Sequence, residues 1–157
     1  MSVPVKILME PKMEEKYGLP VYAKEGDAGM DVRADIQEDI RLMPSEQATI
    51  PTGVRVRMIK GYPNIYEIQV RSRSGLAHKY GVHVLNSPGT IDSEYINSIG
   101  VIIRNSGNEE FVIKRDDKIA QIVLKEVPQI EWVQVYDEEE LGDSERGLGG
   151  FGHTGRN

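Results

Sequence analysis

Three stretches of this 157-residue chain hold side chains able to act on a charged substrate. In NSPGTIDSEY (86–95), Asp92 follows a turn marked by Pro88 and Gly89. A carboxylate there can serve as general base on a water molecule, or it can cap the turn. On a strand, Asp92 and Glu94 would share one face, being two residues apart. SRSG (72–75) sets an arginine beside two hydroxyls at a candidate helix start. That combination binds phosphate through backbone N–H groups and a guanidinium fork, and it equally describes a capped helix with a solvated arginine. RGLGGFGHTGRN (146–157) frames Phe151 with five glycines. It lacks the Lys-Ser/Thr pair of a P-loop, so composition alone leaves a disordered terminus as the ordinary reading. Against that stands Phe151, because stacking one aromatic on a base contributes about 1–3 kcal/mol. His78, His83 and His153 are scattered without metal-ligand spacing, and no nucleophile elbow or Ser-His-Asp order occurs.

The elements that must position these groups read as β. Short β-branched or alternating runs recur at 3–8, 47–50, 54–58, 65–70, 99–105, 111–114, 119–127 and 130–135, separated by Gly, Pro, Asn, Asp and Ser clusters. VRVRM and IYEIQV alternate cleanly, as half-buried strands do. IGVIIRN is apolar on both faces, which predicts a central strand or a subunit contact. One short helix is expected around Ser74 to Lys79, capped by Ser74 and ended by Tyr80 and Gly81. DDK (116–118) reads as a tight turn and Trp132 as a residue packed on the sheets. The pattern is an all-β sandwich or barrel.

Bulk properties narrow the partners. The net charge of −6 and the absence of any Lys/Arg run argue against nucleic acid, though a small polyanion needs only a few donors. With no cysteine there is no disulfide framework or thiolate metal site, which fits a reducing compartment. Pro4 interrupts residues 1–9, too short a stretch for a secretory signal, and no apolar run approaches a membrane span. The expected location is the cytoplasm.

Taken in order, AGMDV (28–32), RSRSGLA (71–77), NSPGTIDSEY (86–95), the stretch from Arg104 to Ile122 ending RDDKIAQI, and RGLGGFGHTG (146–155) resemble the five motifs of the trimeric dUTPase family. The resemblance implies a distorted jelly-roll-like β-barrel over 1–136 and a flexible arm over 137–157. It also implies a homotrimer whose active sites lie at subunit interfaces. The implied reaction is Mg²⁺-dependent hydrolysis of dUTP to dUMP and pyrophosphate by water attack on the α-phosphorus. That reaction limits uracil in DNA and supplies dUMP for dTMP synthesis. By resemblance, Asp92 activates the water and Tyr95 lies beneath the deoxyribose. Asn86, Gly89, Thr90, Ile91 and Gly100 read uracil. Arg73, Ser74, Gly75 and Gln121 contact the phosphate chain. From the arm, Arg146 and Thr154 meet the γ-phosphate, while Phe151, followed by Gly152, covers the base. Asp31 is expected to pair with a positive side chain and organise the site. No protein metal ligand is implied, since Mg²⁺ is held by substrate phosphates and water.

The chain departs from the family at several places. Ser72 stands where proline is common, and Ile96, Asn97 and Ser98 replace a polar-glycine-acidic run. Asp116 and Lys118 replace glycine and arginine, and His153 replaces serine. Lys118 cannot form a bidentate fork, so a looser ion pair is expected there. The rival readings are the related dCTP deaminase, a non-enzymatic regulator on the same fold, and a structural jelly roll. The arm is the most separable part of the resemblance. A chain ending at Glu145 is expected to remain an assembled trimer by sedimentation and to lose most dUTP turnover; normal turnover would remove the arm from catalysis.

Overall fold

A computed structural model describes residues 2–59, 65–144 and 147 of the chain. In chain order the described elements are β1 (Val5–Met9), α1 (Pro11–Tyr17), β2 (Met30–Arg33), β3 (Ile40–Leu42), β4 (Gln47–Met58), β5 (Tyr66–Ser72) and α2 (Ser74–Tyr80). There follow β6 (Val82–Val84), β7 (Gly89–Ile91), β8 (Ser98–Asn105), β9 (Phe111–Ile113), β10 (Lys118–Glu126) and α3 (Glu138–Leu141). The class is all-β, with a jelly-roll-like pair of four-stranded sheets. Their strand orders are β1-β4-β8-β6 and β2-β10-β5-β7, and β3 and β9 form a separate ribbon.

Alternation decides which side chains enter the core. In β4, Ile50, Thr52, Val54, Val56 and Met58 are buried while their neighbours face out. Ile99, Val101 and Ile103 of β8 and Ile68 and Val70 of β5 join the same buried cluster. β8 lies between β4 and β6, so the run that reads apolar on both faces is an interior strand.

The runs 47–50 and 54–58 are one strand, not two. The Pro51–Gly53 break is bridged because the buried Thr52 hydroxyl donates to Ile99 O at 2.8 Å and Asp35 N donates to Pro51 O at 2.8 Å. Gly53 sits at φ 67, and a Cβ there would stand 2.9 Å from Asp35 Oδ2 and 3.0 Å from Glu10 Cβ, so a side chain at the kink would be strained and crowded.

Several expectations need correction. Residues 130–135 form no strand, and Trp132 is 85% exposed rather than packed on the sheets. Pro128 withholds an N–H just after β10 ends, and the following segment has no strand beside it. The helix expected at 74–79 runs Ser74–Tyr80, with Arg73 rather than Ser74 at the N-cap position. Its end is as read: Gly81 takes the left-handed conformation and donates to Ala77 O. Two further short helices exist. α1 carries the signature of Pro at its start and Gly18 after its end, and it buries Met13. α3 is capped by the Asp137 carboxylate, which accepts from Glu140 N at 3.0 Å. Strands β2, β3, β6 and β7 have three or four residues each, too few to show a period.

The most demanding polar group in the core is Asn105. It is fully buried, donates from Nδ2 to Leu42 O and Glu109 O at 2.8 Å each, and accepts from Gly107 N at 2.9 Å. Asn105→Ala strands two carbonyls and one N–H. It is expected to lower unfolding free energy by about 2–4 kcal/mol in a urea titration, far more than a surface change.

Candidate active site

The sequence-predicted residues fall into two described groups and a third outside the described residues. The first group is built on the edge of the second sheet. Register places Asp31 of β2 opposite Gln121 of β10, and Gln121 opposite Arg71 of β5. Two residues beyond Arg71, Arg73 stands where β5 gives way to α2. Its Nε donates to Asp31 Oδ1 at 3.2 Å and its Nη1 to Lys118 O at 3.0 Å. Lys118 Nζ lies 2.8 Å from Asp31 Oδ2, and Gln121 Nε2 lies 3.4 Å from Asp31 Oδ1. The lysine therefore makes one short contact rather than a loose one; a single ammonium on an unbranched stem reaches the free carboxylate oxygen without needing a fork.

Asp31 retains 22% of its side-chain exposure. Burial alone pushes its carboxyl pKa up, yet the Lys118 hydrogen bond, the charges of Arg73 and Lys118, and the Gln121 amide together hold it below the ordinary value. Arg73 commits two of its five N–H donors here. Two cations sharing one carboxylate leave net positive charge, the chemistry of an anion site. Ser74 and Gly75 follow as the first exposed residues of α2, whose N–H groups have no acceptor one helical turn earlier. A cavity of about 460 Å³ opens beside the cluster, between Asp31, Lys118 and Gln121 on one side and Met13, Tyr17 and Leu19 on the other.

The second group lies along β7. The Ser87–Pro88 peptide is cis, and Gly89 has no room for a side chain, since a Cβ would stand 3.2 Å from Asn86 Nδ2 and 3.4 Å from Val70 Cβ. Gly89 and Ile91 are buried and Thr90 exposed. Asp92 is exposed and begins a turn in which Tyr95 N donates to Asp92 O at 3.0 Å. The strand argument for a shared Asp92–Glu94 face therefore fails. The Tyr95 hydroxyl donates to Ser98 O at 2.9 Å, holding its ring at the surface, 38% exposed. Gly100 lies opposite Pro51, and a Cβ on it would come within 2.9 Å of Thr49 Cγ2.

Asp92 lies away from the Arg73 cluster within one chain, although Gly89 pairs with Val70 nearer to it. Ile91 pairs with Ile68, so Asp92 lies beside Glu67, six residues from Arg73. At about 3.3 Å per residue that is roughly 20 Å. The Arg73 guanidinium also turns toward β10, on the far side of β5 from β7. The third group, Arg146, Phe151, Gly152 and Thr154, lies outside the described residues. Sequence reading passed over Lys16, Tyr17 and Arg33, which gather around the turn before Lys118; the Pro11 to Gly18 helix signature was the available signal.

Comparison with known proteins adds the following. A family model described as dUTPase matches residues 15–155. The deoxyuridine 5'-triphosphate nucleotidohydrolase of Fusobacterium nucleatum is 49% identical over 155 residues, covering 99% of each chain. Among solved structures, the Staphylococcus bacteriophage 80alpha dUTPase with dUPNHPP has a TM-score of 0.78 at 25% identity, covering 97% of this chain and 98% of its own. A variant of the phage phi11 dUTPase, described with a structural Mg(II) ion, has a TM-score of 0.71 at 24% identity, covering 87% and 99%.

Because the Asp31 pKa is depressed by folding, the carboxylate contributes stability above the ordinary aspartate range, and this is lost as pH falls through that range. Wild type is thus expected to be more stable than Asp31→Asn at neutral pH, with the gap closing below about pH 4. A gap in urea midpoints that stays constant from pH 7 to pH 3 would count against the ion cluster.

Proposed function

We propose, from the premise that this chain belongs to the dUTPase family, that it works through a site shared between copies of itself. It is a dUTP diphosphatase, hydrolysing dUTP to dUMP and pyrophosphate. What carries the shared site is the separation of roughly 20 Å between Asp92 and Arg73 in one chain, at about 3.3 Å per strand residue. A nucleotide must touch both groups at once, so a second copy brings the missing half, in a homotrimer with one site per interface.

In this reading Arg73, Ser74, Gly75 and Gln121 receive the phosphate chain, and Asp31 keeps Arg73 and Lys118 in place. Asn86 and the backbone of Gly89, Thr90 and Ile91, with Gly100 nearby, read the uracil edge. In this reading the hairpin at Asn86–Gly89 closes on the base and excludes a methyl there, and groups matched to uracil's N3–H and O4 mispair with cytosine. Tyr95 lies under the deoxyribose, where a 2′-hydroxyl would clash. Asp92, exposed and anchored through its turn, orients a water in line with the α-phosphorus and takes its proton, a contribution of about 10²–10⁴-fold. Arg73 and Ser74 stabilise the charge that develops on phosphate oxygens. The arm over 137–157 closes on the ligand, with Arg146 and Thr154 on the γ-phosphate and Phe151 and Gly152 over the base, excluding other water.

The cofactor in this reading is Mg²⁺. The donors gathered near the phosphate side are Arg73, Lys118 and Gln121, which suit an anion. They fit Mg²⁺ as a companion of the triphosphate, held by phosphate oxygens and water. When bound there it neutralises phosphate charge and fixes the chain's geometry. The product dUMP would feed dTMP synthesis while uracil is kept out of DNA, in the cytoplasm. No described helix is long and apolar enough to cross a membrane.

Pyrophosphate release is expected from dUTP far above dTTP, dCTP and UTP, and to require Mg²⁺. Asp92→Asn is expected to bind dUTP with near wild-type affinity while turnover falls at least about 10²-fold. Retained turnover would free Asp92 from the water-activating role.

A further inference from the structure

The turn that leads into β10 carries a clamp not needed to close a hairpin. Asp116 has φ 71, a left-handed conformation that a glycine would adopt without strain. A non-glycine residue held there calls for a compensating contact from its side chain. The contacts are several. The Asp116 carboxylate accepts from Lys16 Nζ at the end of α1. Its carbonyl accepts from Arg33 Nη1 at 2.8 Å, and the Arg33 guanidinium stacks 4.1 Å over the Tyr17 ring. Asp116 N donates to Ala34 O at 2.9 Å, and Ala34 N donates to Asp117 O at 2.8 Å. The Lys16 hydrogen bond, opposed by burial and aided by Tyr17, keeps the Asp116 carboxyl below its ordinary pKa. One acidic residue in a left-handed turn thus ties together α1 through its side chain and the end of β2 through its main chain, at the start of β10.

Lys118 comes two residues later. Its ammonium holds Asp31 at 2.8 Å and its carbonyl holds Arg73 at 3.0 Å. The β2–β10 register shifts between Lys118 and Ala120, so the regular ladder begins only after Lys118. Lys118 still pairs with Arg33, but across that irregularity the ladder holds it less regularly, and the turn before it completes its placement.

We propose that Asp116 is a positioning residue for phosphate binding: the Lys16–Asp116–Arg33 clamp sets the entry of β10 and so places Lys118 against Asp31 and Arg73. The clamp touches no substrate and acts through Lys118. It also fixes the α1 wall of the cavity beside the cluster, since Lys16 and Tyr17 are the last two residues of that helix. The inference rests on the reading of Arg73 and Asp31 as the phosphate side of a dUTPase site.

The test uses the full chain with Asp116→Gly, Lys16→Met and the double variant. Lys16 is 59% exposed, so its replacement leaves the core alone. Asp116→Gly removes the Lys16 arm of the clamp, keeps the main-chain contacts to Arg33 and Ala34, and relieves the left-handed strain, so its melting temperature is expected to hold or rise. KM for dUTP is expected to increase about 3- to 10-fold in each single variant, with kcat within about 2-fold, and the double variant to be no worse than either single. A purely structural role predicts the opposite pairing, a lower melting temperature with unchanged KM, and that result overturns the proposal. Fold-changes that multiply in the double variant also overturn it, because they deny that the two residues act as one clamp. If wild type itself fails to turn over dUTP, the reading of the site falls and the clamp with it. If wild type works and both single variants keep its KM, only the clamp falls.

Discussion

Asp31 is the constraint on which the rest depends. A carboxylate most of the way out of water is stable as an anion only if donors surround it, and here three donors come from two separate segments: Arg73 beyond β5, and Lys118 and Gln121 on β10. The demand runs both ways. Arg73 and Lys118 would repel each other at this distance without the shared carboxylate between them. With it, they stand side by side with positive charge to spare. Sheet order makes this possible, because β10 lies between β2 and β5 and brings residues far apart in sequence into register.

The same sheet order keeps Asp92, the carboxylate proposed to position the water, away from this cluster. β7 pairs on the other side of β5, and Asp92 leaves it at the level of Glu67. The turn at Asp92 is itself well determined: Tyr95 N closes it, and Ser93 O accepts from Met58 N at 3.3 Å at the end of β4. Both halves are therefore held rigidly, and rigidly apart. On the proposed reading of these residues, setting them on opposite flanks of one strand leaves each copy with half-sites, to be closed by assembly.

Much of this was legible in the sequence, and the failures have physical causes. β4 and β5 are long enough for alternation to show, and β8 and β10 for their β-branched content to show, so the all-β class reads directly. The segment 130–135 alternates as well, but a strand needs a neighbour, and alternation carries no information about partners. Trp132 is exposed for the same reason. Asp92 and Glu94 were treated as strand neighbours because Thr90 and Ile91 before them are; the turn at 92–95 is set by the Tyr95 amide, which no pattern reveals. The residues assigned to the two proposed half-sites stand out by motif, but their separation within one chain does not, since it follows from strand order. The Lys16–Asp116 pair spans the chain, and only the left-handed turn at Asp116 gives it purpose. α1 was the avoidable omission, with proline at its start and glycine at its end.

The claim that two copies complete each site is tested most directly by co-expressing two inactive chains, one Arg73→Ala and the other Asp92→Asn, and assaying the purified mixed assemblies for pyrophosphate release from dUTP. If Arg73 and Asp92 come from different subunits, random mixing restores intact sites at one interface in four, so about a quarter of wild-type activity returns. If both residues of a site come from one chain, no mixture contains an intact site, and activity stays at the level of the separate variants.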